Sequence, residues 1–189
     1  LNSALPLRDT AGAISGAIVV NEDVTARRRV EAAVASIAAG VSSTVGRDFF
    51  SLLVEQLTAA LGADCAFIVN VDAGFTGKTI AAFAGGRVVE NFSYDVRGSP
   101  CEKVILHRTE VVANDAATMF ERLPVLDAFG AQHYAGTPLL DSSNNVLGLM
   151  FVGGSRRFDN PELVKSALHI LASRAAVELE RKRNEETIR

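Results

Sequence analysis

Apolar positions along this chain recur with two different periods, and each change of period marks an element. Ile14, Gly16, Ile18 and Val20 alternate with their neighbours after the turn signal Arg8, Asp9 and Gly12, which predicts one strand ending at Asn21–Asp23. Asp23 or Thr25 is placed to cap a helix from about Ala26, on which Val30, Val34, Ile37 and Val41 form a narrow seam. A seam of that width suits one partner helix better than a broad core. After Gly40–Gly46, the spacing of Phe49, Phe50, Leu53, Leu57, Ala60 and Leu61 predicts a second helix, closed by Gly62.

Period two returns at Cys65, Phe67, Val69 and Val71, a strand with at least one buried face. Strands over 80–83 and 88–94 flank Gly85-Gly86, a pair that favours a tight hairpin because glycine accepts positive φ. Ser99, Pro100 and Glu102 carry the signals of a helix start, with serine as N-cap, proline at the first turn and glutamate reaching back, so a short helix to about His107 follows. A brief strand over 109–112 comes next. Asp115 then caps a short helix bearing Met119 and Phe120, which Pro124 interrupts before an apolar turn at Leu126 and Phe129. Strands over 134–140 and 146–152 flank the polar turn Asp141–Asn145, and the second is apolar enough to lie centrally with both faces covered. Gly153-Gly154 reads as a turn after it. Pro161 opens a long helix through Leu163, Leu168, Leu171, Ala175 and Leu179 that becomes charged from Glu180 onward.

Composition narrows the function classes. The chain has 189 residues, 48% hydrophobic and 22% charged, which suits one domain with room for a fragment of another. A net charge of -3 offers no basic surplus for phosphate neutralisation, so nucleic acid is not an expected partner. No apolar run approaches the roughly 20 residues that cross a bilayer and no secretory pattern opens the chain, so a cytoplasmic location without membrane contact by this segment is expected. Two cysteines form no disulfide framework.

The order helix, strand, hairpin, irregular short helices, hairpin, long helix accompanies specific residues: Tyr94, Gly98, Pro100, Cys101 and Glu102, then Tyr134, Gly136, Pro138, Leu139, Leu140 and Asp141, then Gly148 and Phe151. With these residues the chain resembles a GAF domain of bacterial sensor proteins from about Val30 to Glu180. Pro6, Leu7, Arg8, Asp9, Gly12, Ile14 and Gly16, with Asp23, Val24 and Thr25, resemble the closing strand of a PAS domain. The resemblance implies an α+β fold with a central antiparallel sheet of about six strands, terminal helices on one face and short helices arching over a ligand pocket on the other. It divides the chain into a PAS remnant (1–25), a helical linker (26–45), the GAF domain (46–179) and a charged connector (180–189). It further implies a noncatalytic sensory module upstream of an output domain, most often a histidine kinase and less often a diguanylate cyclase.

The expected pocket draws on Phe92, Tyr94, Cys101 and Val104 before the arch, and on Met119, Phe120, Phe129 and Tyr134 within and after it. Its occupant is an unidentified small molecule. Cys101 at a helix start with Arg97 nearby has features that favour a thiolate, set against the plainer reading of a small buried residue. Bilin attachment in similar domains more often shows histidine after the cysteine, where Glu102 stands here. The Asn-Lys-Phe-Asp-Glu signature of cyclic-nucleotide-binding GAF domains does not occur. Cys65 and Cys101 leave a thiol redox enzyme of the free methionine sulfoxide reductase type as an alternative that their spacing does not support, against two unrelated buried thiols, and His107, His133 and His169 lack the spacing of a local zinc motif. His107 suits a helix C-terminus and His169 a packing face. No cofactor is indicated. A parallel homodimer is expected through Val30, Val34, Ile37 and Val41 with Leu168, Leu171 and Ala175; a ligand-free dimerisation relay and a thiol redox enzyme are the alternative functions.

Overall fold

A computed structural model describes residues 2–10, 12–21, 28, 32 and 47–187. The seam Val30, Val34, Ile37 and Val41 and the capping residues Asp23 and Thr25 lie outside the described residues.

Where one N-terminal strand was expected, two form a ribbon. β1 (Asn2–Arg8) pairs antiparallel with β2 (Ile14–Asn21), placing Leu5 opposite Ile18. Asp9 shapes the turn: its Oδ1 accepts the Ala13 amide at 2.9 Å, and Gly12 sits at φ 83. Leu5, Leu7, Ile14, Ile18 and Val19 are all exposed.

The second, larger sheet runs β5-β4-β3-β9-β8-β7, with β6 pairing β4 off that path, and every pairing is antiparallel. Its strands are β3 (Cys65–Val71), β4 (Thr76–Ala84), β5 (Arg87–Val88), β6 (Ser93–Asp95), β7 (Val111–Ala113), β8 (His133–Leu140) and β9 (Val146–Gly154). The hydrophobicity of β9 is explained by its place between β3 and β8, and Gly153-Gly154 belongs to it rather than to a turn. A Cβ on Gly153 would lie 2.7 Å from Leu126 Cδ2 and 2.9 Å from Cys65 Sγ, so the absent side chain is what lets the arch close over the strand. The expected strand over 88–94 divides into β5 and β6. Between them the chain is held by Val89 N–H donating to Ala82 O and by the Thr79 hydroxyl exchanging bonds with Phe92.

One face carries the long helices. α1 (Arg47–Leu61) packs on β3 and β4, and α4 (Pro161–Thr187) on β8 and β9. In α4, Val164, Ala167, Leu168, Leu171, Ala172, Ala175, Ala176 and Leu179 form one buried stripe, spaced alternately three and one apart, in one core with Ala135 and Leu139 of β8 and Met150 and Val152 of β9. Each fully buried leucine there contributes about 1.5–3 kcal/mol relative to exposure. Leu168, Leu171 and Ala175, expected at a dimer interface, therefore belong to the chain's own core; the side of α4 left open carries Ile170 and Val177, 46% and 68% exposed. His169 likewise faces outward and pairs with Glu110 at 3.1 Å, instead of packing. The charged end of α4 does not leave the sheet at Glu180: Ser142 Oγ donates to Glu180 at 2.9 Å, and Arg183 holds Asn70 Oδ1 and Leu147 O.

The other face of β3 and β9 meets the short elements. α2 (Pro100–His107), a 3-10 turn (Ala116–Thr118) and α3 (Pro124–Ala128) arch over Phe67, Leu149 and Phe151. Pro124 opens α3 instead of interrupting a helix, because its fixed φ and missing N–H suit a first turn. Asp115 forms no side-chain cap and sits at φ 71; its amide donates to His133 Nδ1 at 2.8 Å. Among the described residues no helix is long and apolar enough to cross a membrane.

Candidate functional site

The arch encloses a cage built from three separate elements. Tyr94 comes from β6, Cys101 from the first turn of α2 and Tyr134 from β8. Both phenol oxygens lie 3.6 Å from Cys101 Sγ; the Tyr134 hydroxyl donates to the sulfur, and the Tyr94 contact runs in either direction. Leu123, Pro124, Val125 and Leu126 roof the cage and Phe151 floors it, leaving a cavity of about 10 Å³. That volume is room for about one water, far below the few hundred Å³ of a preformed metabolite site. The arch is closed.

Rings fill the remaining space. Phe67 stacks on Phe151 at 4.9 Å and lies 5.2 Å from Phe129, while Phe92 approaches Phe67 edge-on at 6.0 Å. Tyr134 stacks on Phe151 at 5.3 Å, and Phe92 lies 6.0 Å from Tyr94. Of the eight residues expected at the pocket, Tyr94, Cys101 and Tyr134 line the cavity, and Phe92, Val104, Phe120 and Phe129 pack in or against the same apolar cluster. Met119 and Phe120 do not line it. Met119 is 52% exposed, Phe120 lies beneath Lys103 Nζ at 5.2 Å, and both line an outer groove beside β7. Phe67, Phe151 and the Leu123–Leu126 roof were not anticipated; the strand period had placed Phe67 on a buried face without saying which.

Local sequence explains the tyrosine on β8. A Cβ on Gly136 would fall 2.2 Å from the Tyr134 hydroxyl and 2.6 Å from its Cζ, so the ring lies flat along the strand across Gly136 to reach Cys101. The helix start is built differently from a capping box. Ser99 Oγ donates to Val96 O at 2.6 Å rather than accepting from the helix, and Glu102 accepts the Gly98 amide at 2.8 Å.

Electrostatics argue against a reactive thiol. Burial pushes Cys101 up from its ordinary value, outweighing the hydroxyls that favour its anion, and burial pushes Cys65 up to about 12. Burial likewise raises both tyrosines well above their ordinary value. Arg97 does not serve the sulfur: it donates to Gly74 O at 2.6 Å and lies 3.7 Å from Asp95. Desolvation thus favours the plainer reading of Cys101, a small buried residue, over a thiolate, and both cysteines are free and buried. His133 is spent on the Asp115 amide, and among the described residues no group of three His, Cys, Asp or Glu side chains is placed to hold a metal ion.

A family model described as "GAF domain" matches residues 47–180. Among solved structures, a GAF domain of a phosphoenolpyruvate-protein phosphotransferase from Coxiella burnetii superposes with TM-score 0.69 at 17% identity, over 86% of this chain and 99% of that one. Free methionine-R-sulfoxide reductase from Neisseria meningitidis, in complex with its substrate, gives 0.69 at 14% identity over 88% and 96%. The phycocyanobilin-bound GAF domain of a cyanobacterial phytochrome gives 0.63 at 16% identity over 88% and 98%. At these identities the likeness is one of fold. No curated protein matches the sequence.

Proposed function

Because the chain belongs to the GAF domain family, we propose that it is a noncatalytic sensory module whose arch opens to a small ligand and whose long helix carries the change to an output domain. One observation supports this most: a single central strand serves both ends of the route. β9 presents Phe151 to the cage, and Met150 and Val152 to the face that α4 covers. A displacement of the floor ring therefore reaches the helix through one layer of backbone.

The output in this reading is a histidine kinase, with a diguanylate cyclase as the alternative, and the β1–β2 ribbon is the end of a preceding PAS domain in a cytoplasmic protein. The apolar side chains that the ribbon exposes, Leu5 and Ile18 among them, fit a piece whose core partners belong to that domain. Signal transfer in this reading uses a parallel homodimer through Val30, Val34, Ile37 and Val41 together with the open side of α4 at Ile170 and Val177. The small cavity favours a second reading, a ligand-free relay. A sulfoxide-reducing enzyme is disfavoured, since burial holds both thiols in the neutral form.

Denaturing extraction of the purified chain followed by mass spectrometry, with visible absorbance, tests the ligand reading. A stoichiometric small molecule supports it. No released molecule, together with a melting transition unmoved by a metabolite panel, replaces it with the relay.

A further inference from the structure

The roof of the cage is fastened by the residue that leads into it. The Arg122 amide donates to Gly98 O at 3.3 Å, and its Nη1 reaches Asp95 Oδ2 at 3.2 Å and Arg97 O at 3.4 Å. Its stem crosses Gly98, where a Cβ would meet Arg122 Cδ at 3.3 Å. Arg97 shares the same carboxylate, its Nε lying 3.7 Å from Asp95 Oδ1. The fourth charged group here, Glu102, is engaged by the Gly98 amide. Two guanidiniums thus share Asp95 directly beside the Leu123–Leu126 roof. The pair is open to water, with Arg122 52% and Asp95 39% exposed, and exposed pairs of this kind are weak.

We propose that this clasp makes the arch selective for a small aromatic carboxylate, whose carboxylate replaces Asp95 on Arg122 and Arg97 while its ring enters the cage beneath the lifted roof. The inference rests on the ligand-binding reading above. The ligand carboxylate takes over the pairing with the guanidiniums, to which a planar bidentate partner is suited, while the displaced Asp95, 39% exposed and accepting the Arg97 amide at 3.0 Å, is left to that amide and to water. Inside, Phe67, Phe92, Phe129 and Phe151 already meet one another at ring-centroid distances of 4.9–6.1 Å. An aromatic guest substitutes ring contacts for ring contacts, which an aliphatic or strongly polar guest does not. The ligand shifts the arch by its preference for the open form alone.

Isothermal calorimetry with benzoate and phenylacetate, against benzamide and phenylacetamide as uncharged isosteres, tests this on the whole chain. Near-UV circular dichroism reports entry, because the chain has no tryptophan and both of its tyrosines stand in the cage. The acids are expected to bind roughly tenfold more tightly than the amides. Arg122→Gln abolishes that difference, and Asp95→Asn, which removes the competing carboxylate, tightens the acids about threefold. Asp95→Asn also keeps the test alive if Arg122→Gln fails to fold. Amides binding as well as acids would overturn the clasp while leaving a ligand-binding cage in place. No binding of any of the four up to about 10 mM would overturn the aromatic-carboxylate assignment, and the extraction experiment then decides the broader reading by itself.

Discussion

Gly136→Ala is the most searching perturbation of the cage, because it adds one methyl group at a distance from the sulfur and acts through a single ring. The new Cβ would sit 2.2 Å from the Tyr134 hydroxyl and 2.9 Å from its Cε1. The strand backbone is fixed on both sides, by Val111 and by Phe151, so the ring has to move. Leaving its place forfeits the bond to Cys101, about 0.5–1.5 kcal/mol, and the stack on Phe151, about 0.5–1.5 kcal/mol. Repacking a crowded core adds about 1–3 kcal/mol, and the lower backbone entropy of alanine returns about 0.5–1 kcal/mol. The net loss is about 1–5.5 kcal/mol, or roughly 2–20 °C in melting temperature for a chain of this length. Urea unfolding followed by far-UV circular dichroism measures it, with the near-UV tyrosine bands reporting the ring directly. The decisive comparison is the same substitution in a Tyr134→Ala background, where the obstacle is gone and the cost falls below about 0.5 kcal/mol. An equal cost in both backgrounds would refute the argument, since the methyl group would then be clashing with something other than the ring.

Alkaline pH should destabilise the fold in two steps. Burial raises both cysteines and both tyrosines in the folded chain, so their contribution is complete below the unfolded values and is lost as pH rises past about 9 for the thiols and about 10 for the phenols. The two tyrosines add a slope of about 2.7 kcal/mol per pH unit above 10, and ultraviolet titration should show neither ionising before the chain unfolds. His133→Ala strips the Asp115 amide of its acceptor and should cost about 1–3 kcal/mol by urea unfolding, whereas His133→Asn, which offers an oxygen near the same place, should recover much of it. Gly148→Ala brings a Cβ to 2.0 Å from Val69 O between two central strands, and expression with no cooperative melt, or a loss of about 3 kcal/mol or more, is expected. If the proposed dimer forms, Ile170→Glu and Val177→Glu should weaken it in light scattering without loss of helix, as should Val34→Glu and Ile37→Glu. Leu168→Glu should instead unfold the domain, its side chain being fully buried.

Much of the architecture was legible because its signals are local. The alternation of Cys65, Phe67, Val69 and Val71 is a property of one strand, and Pro100 and Glu102 suffice to start α2, although the serine before them bonds backward instead of capping. The unbroken apolar run of β9 marked a strand covered on both faces, which is where it lies. Several of the residues that carried the family resemblance prove to have spatial reasons: Tyr94, Cys101 and Tyr134 meet in the cage, a side chain on Gly136 or Gly148 would strike a neighbour, and Gly98 sits at φ 72 under the Arg122 stem.

What the chain could not declare was which apolar surface goes where. Met119 is as apolar as the true cage residues, and only the path of the arch turns it outward. On α4, Leu168 and Ile170 are equally apolar; β8 and β9 take one and leave the other open. Hydrophobicity is non-directional, so a sequence states how much surface seeks cover without naming the partner. Closure of the arch is a tertiary property for the same reason. Whether six rings enclose a ligand-sized space or fill it depends on ångström offsets between β6, β8, α2 and α3, and no residue type encodes those offsets by itself.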